Sequence, residues 1–403
     1  DPVDLHTGFS ISDSAGIRIA MNDTPVDLLK EVISTVPDRA VTVGVVSGAP
    51  DYMFNRIRDV ARLESGHIVV IDETQQLRVF DSTGKHVVSH GGKGQGPGEF
   101  LSASDIVAQH GDSLLVWDDH AMRYSAFTVA GGFHERSATR RKLLSDLLIR
   151  DYYFEHMYPV PDGSLIVEVD PRVPIAEREA QRPVGEFTRL PSLLVWVNRE
   201  FTEYRKLGEH GGLQQAKLMV AGTPQYFVSP NGYWPRQSVG GSPPRICIDA
   251  IGGPQVNCFD SDGSATYVRW HALPRLLSDE TRKAWIEAEA RRGERAGARA
   301  DPPQIRAALV GAPLPQELAS VVEVKVDKRG LVWVRSPDLP NDDRGQLRFR
   351  VFDRKGEILG YALAPSPAIE EIGEDYMLVI SRNVDGVEQV VMYRLRRDLP
   401  PAR

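Results

Sequence analysis

Six times along the chain a short polar turn opens a run of apolar, β-prone residues. These runs are Ser65-Gly66-His67-Ile68-Val69-Val70, Gly111-Asp112-Ser113-Leu114-Leu115-Val116-Trp117, Asp162-Gly163-Ser164-Leu165-Ile166-Val167, Asn231-Gly232-Tyr233-Trp234, Arg329-Gly330-Leu331-Val332-Trp333-Val334 and Glu374-Asp375-Tyr376-Met377-Leu378-Val379. A second element follows the strand, clearest in Arg78-Val79-Phe80-Asp81-Ser82-Thr83-Gly84, Asn257-Cys258-Phe259-Asp260-Ser261-Asp262-Gly263 and Arg350-Val351-Phe352-Asp353-Arg354-Lys355-Gly356. Alternation ending in Asp-x-x-Gly predicts a strand entering a tight turn, with glycine supplying positive φ. An outer strand comes next, at Lys85 to His90, Ser264 to Trp270 and Glu357 to Ala362. With the strand that precedes each opener, every unit has four strands. Units of this size repeated along a chain form rings or solenoids, and four strands per unit is the makeup of a propeller blade.

The expected fold is therefore all-β, a six-bladed β-propeller of four-stranded blades. The blades run over about Arg56 to His90, Asp105 to Ser137, Tyr153 to Leu207, Gln225 to Trp270, Val321 to Ala362 and Ala368 to Arg396. A charged loop, Asp170 to Pro191, interrupts the third. The sixth lacks an outer strand, which Arg39 to Val46 can supply, closing the ring and removing exposed edges. On this reading residues 1–38 form an N-terminal extension with an edge strand at Ile17 to Ala20, and residues 39–403 form the propeller. A helical insertion, 278–311, separates blades 4 and 5: Ser278 is an N-cap, Thr281 to Arg299 lacks proline, and a short helix covers Pro303 to Leu309. Lys142 to Leu148 has helical spacing between blades 2 and 3.

Composition narrows the class further. The net charge of −7 argues against a general nucleic-acid binder, and no apolar stretch is long enough to cross a bilayer. Cys247 and Cys258 lie symmetrically about the Gly252–Gly253 bond, so a hairpin turning there, in a loop closed by Ala250 and Gln255, sets them opposite each other within disulfide range. A bridge implies an oxidising compartment. The chain's start at Asp1-Pro2 is read as processing after export, toward the periplasm or cell surface.

The segments Asp13-Ser14-Ala15-Gly16-Ile17-Arg18-Ile19, Arg78-Val79-Phe80-Asp81 and Gly91-Gly92-Lys93-Gly94-Gln95-Gly96-Pro97-Gly98-Glu99-Phe100 resemble bacterial six-bladed β-propellers related to NHL repeats. The resemblance implies the fold and export, and it implies no reaction.

Candidate chemistry is sparse. Gly92-x-Gly94-x-Gly96 precedes a strand rather than a helix, so it reads as an inter-blade crossover with Phe100 wedged between sheets, not a phosphate loop. Asp260-Ser261-Asp262-Gly263 reads as a blade turn, lacking the distal glutamate of a calcium loop. Axial-mouth candidates are Asp59, Asp105, His156, Gln225 and Glu371. No residue is assigned a catalytic or metal role and no motif demands a cofactor; calcium is the one ion these oxygen donors suit. The inserted helix carries Arg282, Lys283, Arg291, Arg292, Arg295 and Arg299 against Glu287, Glu289 and Glu294, a balance of 6 − 3 = +3. Trp285 with Arg291, Arg292 and Arg295 is the candidate partner-binding surface, and Trp285, Ile286 and Ala288 form a stripe suited to the propeller rim. The expected function is a non-catalytic extracytoplasmic binding or scaffold module. One form is an extrinsic subunit on the periplasmic face of a membrane-embedded complex such as a bacterial photosystem. The alternative is a calcium-dependent hydrolase or lyase working in the axial funnel.

Overall fold

Blades 1, 2, 4 and 5 are each built by three returns between four antiparallel strands. The computed structural model describes residues 8–136, 152–230, 237–250, 253–295, 302–312, 314–366 and 368–399. Blade 1 comprises Ile57–Arg62, Ile68–Asp72, Gln76–Phe80 and His86–Gly91, and blade 2 Ala103–Ala108, Ser113–Asp118, Arg123–Thr128 and Gly132–Arg136. Blade 3 has five strands: Tyr152–Pro159, Leu165–Pro171, Phe187–Val197, Tyr204–Val220 and Thr223–Val228. Blade 4 runs Gln237–Gly240, Arg245–Asp249, Gln255–Asp260 and Ala265–Trp270, and blade 5 Glu323–Val326, Val332–Arg335, Leu347–Phe352 and Ile358–Ala364. Blade 6 has Ile369–Ile372, Tyr376–Arg382 and Glu388–Arg397 from the C-terminal part of the chain. The fold is a six-bladed β-propeller.

The N-terminal region closes it. Glu31–Val43 pairs antiparallel with Glu388–Arg397, with Thr42 opposite Val391, and also runs parallel to the outer strand of blade 5, with Ile33 opposite Ala362. The expected closing strand is present but begins earlier, so a boundary at residue 38 divides it. Ile17–Asn22 pairs parallel with the outer strand of blade 4, and Phe9–Ser14 completes that edge. The buried Asn22 amide donates to the carbonyls of Arg269 (3.0 Å) and Gly356 (2.9 Å), while its oxygen accepts from the Ile358 N–H (2.8 Å). One side chain thus ties blade 4 to blade 5.

Alternation turns one stripe of each sheet toward its neighbour. Phe100, fully buried, joins Ala61, Val69, Leu77 and Val79 of blade 1 to Ile106, Val116 and Phe127 of blade 2. This is the crossover packing expected of the glycine-rich stretch, and a Cβ at Gly91 would lie 2.8 Å from the Phe100 ring. Cys247 and Cys258 are paired in register and disulfide-bonded, with the Ala250 N–H donating to the Gln255 carbonyl as the predicted four-residue loop requires.

Two departures from the sequence reading concern blades 3 and 4. The strand Tyr204–Val220 continues beyond blade 3 and hairpins through Ala221-Gly222 into Thr223–Val228. Those residues are the outer edge of blade 3, not the start of blade 4, whose innermost strand is Gln237–Gly240. Second, Asp170 to Pro191 is not a simple loop, because it holds a short helix, Ile175–Ala180, and the beginning of the strand Phe187–Val197. The inserted helices run Asp279–Arg295, capped by the Ser278 hydroxyl on the Thr281 N–H (3.1 Å), and Pro302–Val310. They pack on the blade-3 hairpin, where Ile286, Ala290, Ile305 and Leu309 meet Ala216, Leu218, Val220 and Phe227 in a core outside the ring. The opener Asn231 to Trp234 and the segment Lys142 to Leu148 lie outside the described residues.

Candidate functional site

Every innermost strand begins on one face of the ring, here the upper, and ends on the other. Their inner edges lack a partner strand and must satisfy backbone groups otherwise. Side chains from adjacent blades do this. The Asp59 carboxylate of blade 1 accepts from the Ile106 N–H of blade 2 (2.6 Å), and Glu371 of blade 6 accepts from the Arg62 N–H of blade 1 (3.1 Å). The Ser238 hydroxyl of blade 4 accepts from the Val326 N–H of blade 5 (2.9 Å), and Lys325 of blade 5 donates to the Ile369 carbonyl of blade 6.

Four of the five axial candidates follow a register shift in an innermost strand. The innermost strands of blades 1, 2, 3 and 6 carry register shifts between Ile57 and Asp59, Ala103 and Asp105, Phe154 and His156, and Ile369 and Glu371. An extra residue in a strand re-aims the side chain after it, so Asp59, Asp105, His156 and Glu371 all follow the shift. Gln225 is the exception. It lies on the outermost strand of blade 3, opposite Leu218 on the side facing the inserted helices, because the long hairpin displaced it from blade 4.

The channel carries acidic groups with displaced titrations. Burial, reinforced by the nearby Asp105 carboxylate, raises Asp59 well above the ordinary carboxylate range. Burial raises Asp105 to about 6, with the Asp119 charge adding and the Ser104 hydroxyl opposing. Burial likewise raises Glu370, against the pull of Lys325. In blade 3, the fully buried Glu168 is flanked by His156 Nδ1 and His210 Nε2, each at 3.2 Å. Burial pushes Glu168 up, but the two imidazoles outweigh it and bring it to about 2; Glu168 in turn raises His156. His156, with 38 % of its side chain exposed, is a histidine oriented by a buried carboxylate. Glu168 was legible in retrospect, as one acid inside the apolar run Leu165 to Val169.

At the lower mouth the Lys328 ammonium meets Glu371 (3.0 Å) and donates to the Tyr376 hydroxyl (2.7 Å), and the Tyr376 hydroxyl itself donates to Glu371. The Arg62 guanidinium lies 4.6 Å from the Tyr376 ring centre. Beside them opens a cavity of about 520 Å³, walled by residues of all six blades, including Asp59, Val107, Pro159, Ser238, Lys325 and Glu370. Among the described residues no three His, Cys, Asp or Glu side chains are grouped to hold a metal ion. Asp260, in the turn that resembles the start of a calcium loop, instead binds Arg245 (2.7 Å) and Arg354 (2.5 Å).

On the inserted helix, Trp285 is half-buried with its ring 6.2 Å from that of Phe187. It packs against the core where the inserted helices meet the blade-3 hairpin. Ile286 is buried in the same core, whereas Ala288 of the expected stripe is exposed. Arg291 is exposed, and the side chains of Arg292 and Arg295 lie outside the described set.

The ring and its channel define the class as a six-bladed β-propeller. A family model described as a 6-bladed beta-propeller (DUF5128) matches residues 50–131, the stretch that forms blades 1 and 2. No curated protein matches the sequence. Among solved structures, a Bacteroides fragilis protein named as a candidate for export is 9 % identical, with a TM-score of 0.46, covering 94 % of this chain and 99 % of its own. A member of the DUF4221 family from Bacteroides vulgatus is 10 % identical, with a TM-score of 0.46 and coverages of 91 % and 99 %. The calcium-binding protein regucalcin from Agrobacterium tumefaciens is 11 % identical, with a TM-score of 0.38 and coverages of 93 % and 100 %. Among the described residues no helix is long and apolar enough to cross a membrane.

Proposed function

We propose that the chain is an extracytoplasmic, non-catalytic binding module that holds partner proteins, as an extrinsic subunit on a membrane-embedded complex. The observation that carries this reading is the division of labour between channel and insertions. Polar side chains at the channel stitch blade to blade, while the helices and blade-3 hairpin build a separate core that ring closure does not require. A rigid ring with elaborated loops is a preformed platform for partners. The buried Cys247–Cys258 bridge supports an oxidising compartment. The test is capture of the tagged chain from gently solubilised native membranes, beside Arg282→Glu/Arg291→Glu. A stoichiometric partner lost in the variant supports the reading; no partner for either protein overturns it.

A second reading, a hydrolase or lyase acting in the channel, is favoured by the partly exposed His156 on an innermost strand, held by the buried Glu168. Orientation of an imidazole by a carboxylate is how general bases are built. A divalent ion bound tightly by purified protein and lost on Asp105→Ala or His156→Ala would favour it.

A further inference from the structure

Blade 3 buries a carboxylate between two imidazoles that belong to different parts of the molecule. Glu168, on the second strand, lies 3.2 Å from His156 Nδ1 of the innermost strand and 3.2 Å from His210 Nε2 of the fourth. Register explains how three strands meet at one carboxylate. Glu168 stands opposite His156 on one side and Leu194 on the other, and Leu194 stands opposite Gly208. His210, two residues beyond Gly208, shares its face. At Gly208 that face is pressed by blade 4, since a Cβ there would lie 2.1 Å from the Phe259 ring. The surroundings are apolar: Val160, Ile166 and Leu194 pack with Ile246, Ile248 and Phe259 of blade 4. The Tyr158 ring stacks on His156, with centres 6.2 Å apart. One imidazole is half open and the other sealed, with 38 % and 2 % of their side chains exposed.

The two histidines sit on strands with different tasks. His156 belongs to the channel wall, whereas His210 belongs to Tyr204–Val220, whose far end carries the inserted helices on Ala216, Leu218 and Val220. A buried carboxylate is costly unless a positive charge stays beside it. We propose that the His156–Glu168–His210 bridge is a proton-dependent link between channel and insertion: protonated His156 fixes the innermost and extended strands together, and loss of that proton loosens both. The inference goes beyond the two readings above and holds under either. Glu168 keeps its charge, because the imidazoles bring it to about 2 against burial. His156 is raised above its ordinary value of about 6.5, first by its bond to Glu168, against burial. The charges of Glu168, of Glu155 on the same strand and of Asp119 in blade 2 add to this. Burial, with the charges of Glu168 and Asp105 adding, raises Tyr158. Asp170, two residues beyond Glu168, accepts from the Ser192 hydroxyl (2.6 Å). A base raised by folding contributes stability that is fully present below its unfolded value and lost as pH rises through its folded one. The link is therefore tight in weakly acid surroundings and slackens toward alkaline pH.

Hydrogen exchange of the full chain between about pH 5.5 and 8.5, corrected for intrinsic rates, tests this on residues 152–159 and 204–213. Protection of both segments should fall together as pH rises, by about tenfold for each pKa unit by which His156 is displaced. The blade-5 strand Leu347–Phe352 should not respond. Residues 279–295 are left out of the readout, because buried Glu289 gives them a pH dependence of their own. Glu168→Gln keeps the shape and removes the charge, so it should flatten both profiles and return the His156 imidazole, followed by NMR, toward its ordinary titration. His210→Gln should flatten residues 204–213 alone and leave the response of 152–159. If Glu168→Gln does not fold, His156→Gln at the half-open position takes its place and should flatten both profiles. Flat profiles in the natural chain, a response confined to one segment, or one that survives in Glu168→Gln or its replacement overturns the proposal.

Discussion

The two faces of the ring are made of different chain. On the lower face, strands return through short turns such as Asp81–Gly84, Asp260–Gly263 and Asp353–Gly356, where N–H groups of the turn close back on the leading aspartate's carbonyl. On the upper face lie the elaborations: the segment 172–186, the hairpin tip at Ala221-Gly222 and the insertion 271–322 with both helices. The turns are constrained because other elements press on them. A Cβ at Gly356 would lie 2.6 Å from Ala20 Cβ, and one at Gly84 would lie 2.9 Å from Val41 Cγ1, both at positive φ. N-terminal strands seat on these turns, so the lower face is part of the fastening. The upper face is free to vary, and partner contact is expected there.

Predictions from this contrast run from ring to surface. Phe100→Ala, which empties the space between blades 1 and 2, should cost about 3–5 kcal/mol, read by denaturant unfolding. Cys247→Ser/Cys258→Ser should cost about 2–4 kcal/mol, and reducing agent should reproduce that loss in the natural chain alone. The pH dependence sharpens the comparison, because Glu289 is buried where the inserted helix meets the hairpin and burial raises it to about 7. A carboxyl raised in the fold contributes stability that is fully present below its unfolded pKa of about 4.3 and is lost as pH rises through about 7. The helix–hairpin packing should therefore weaken across that window by on the order of 2–3 kcal/mol, and Glu289→Gln should flatten the profile in hydrogen exchange of residues 279–295. Gly356→Ala should cost about 1–3 kcal/mol from backbone strain and contact with Ala20. Val384→Ser, in a fully solvated upper-face turn, should stay within about 0.5 kcal/mol. A costly Val384→Ser beside a harmless Gly356→Ala would erase the distinction between faces.

Much of the ring was legible because strand alternation and Asp-x-x-Gly turns are local signals. The disulfide was legible for a related reason, since opposite positions in a hairpin have a constant sum of residue numbers. The long blade-3 hairpin was not. Tyr204–Val220 contains Gly208, Gly211 and Gly212 and several polar residues, and its apolar half is covered by helices more than sixty positions later. No local pattern reports such a partner, and Gln225 was misplaced accordingly. The shared bulge before Asp59, Asp105, His156 and Glu371 was hidden too, because a bulge is a property of two strands. A visible signal was passed over in Asp72 and Asp118, each at the end of a blade's second strand. Asp72 accepts from the Asn55 N–H (2.9 Å), and Asp118 from those of Leu101 and Ser102 (2.8 and 3.1 Å). These carboxylates fasten the chain entering the blade, a structural use of acids that resembles a ligand ring when only sequence is read.

The most direct test places a photo-crosslinking side chain at Arg291, on the upper insertion, and separately at Lys328, on the lower mouth, and irradiates the chain in its native membranes. The account predicts adducts with membrane components from position 291 and none from 328. Adducts from 328 alone would contradict it, because the face built from fastening turns would then be the one that meets a partner.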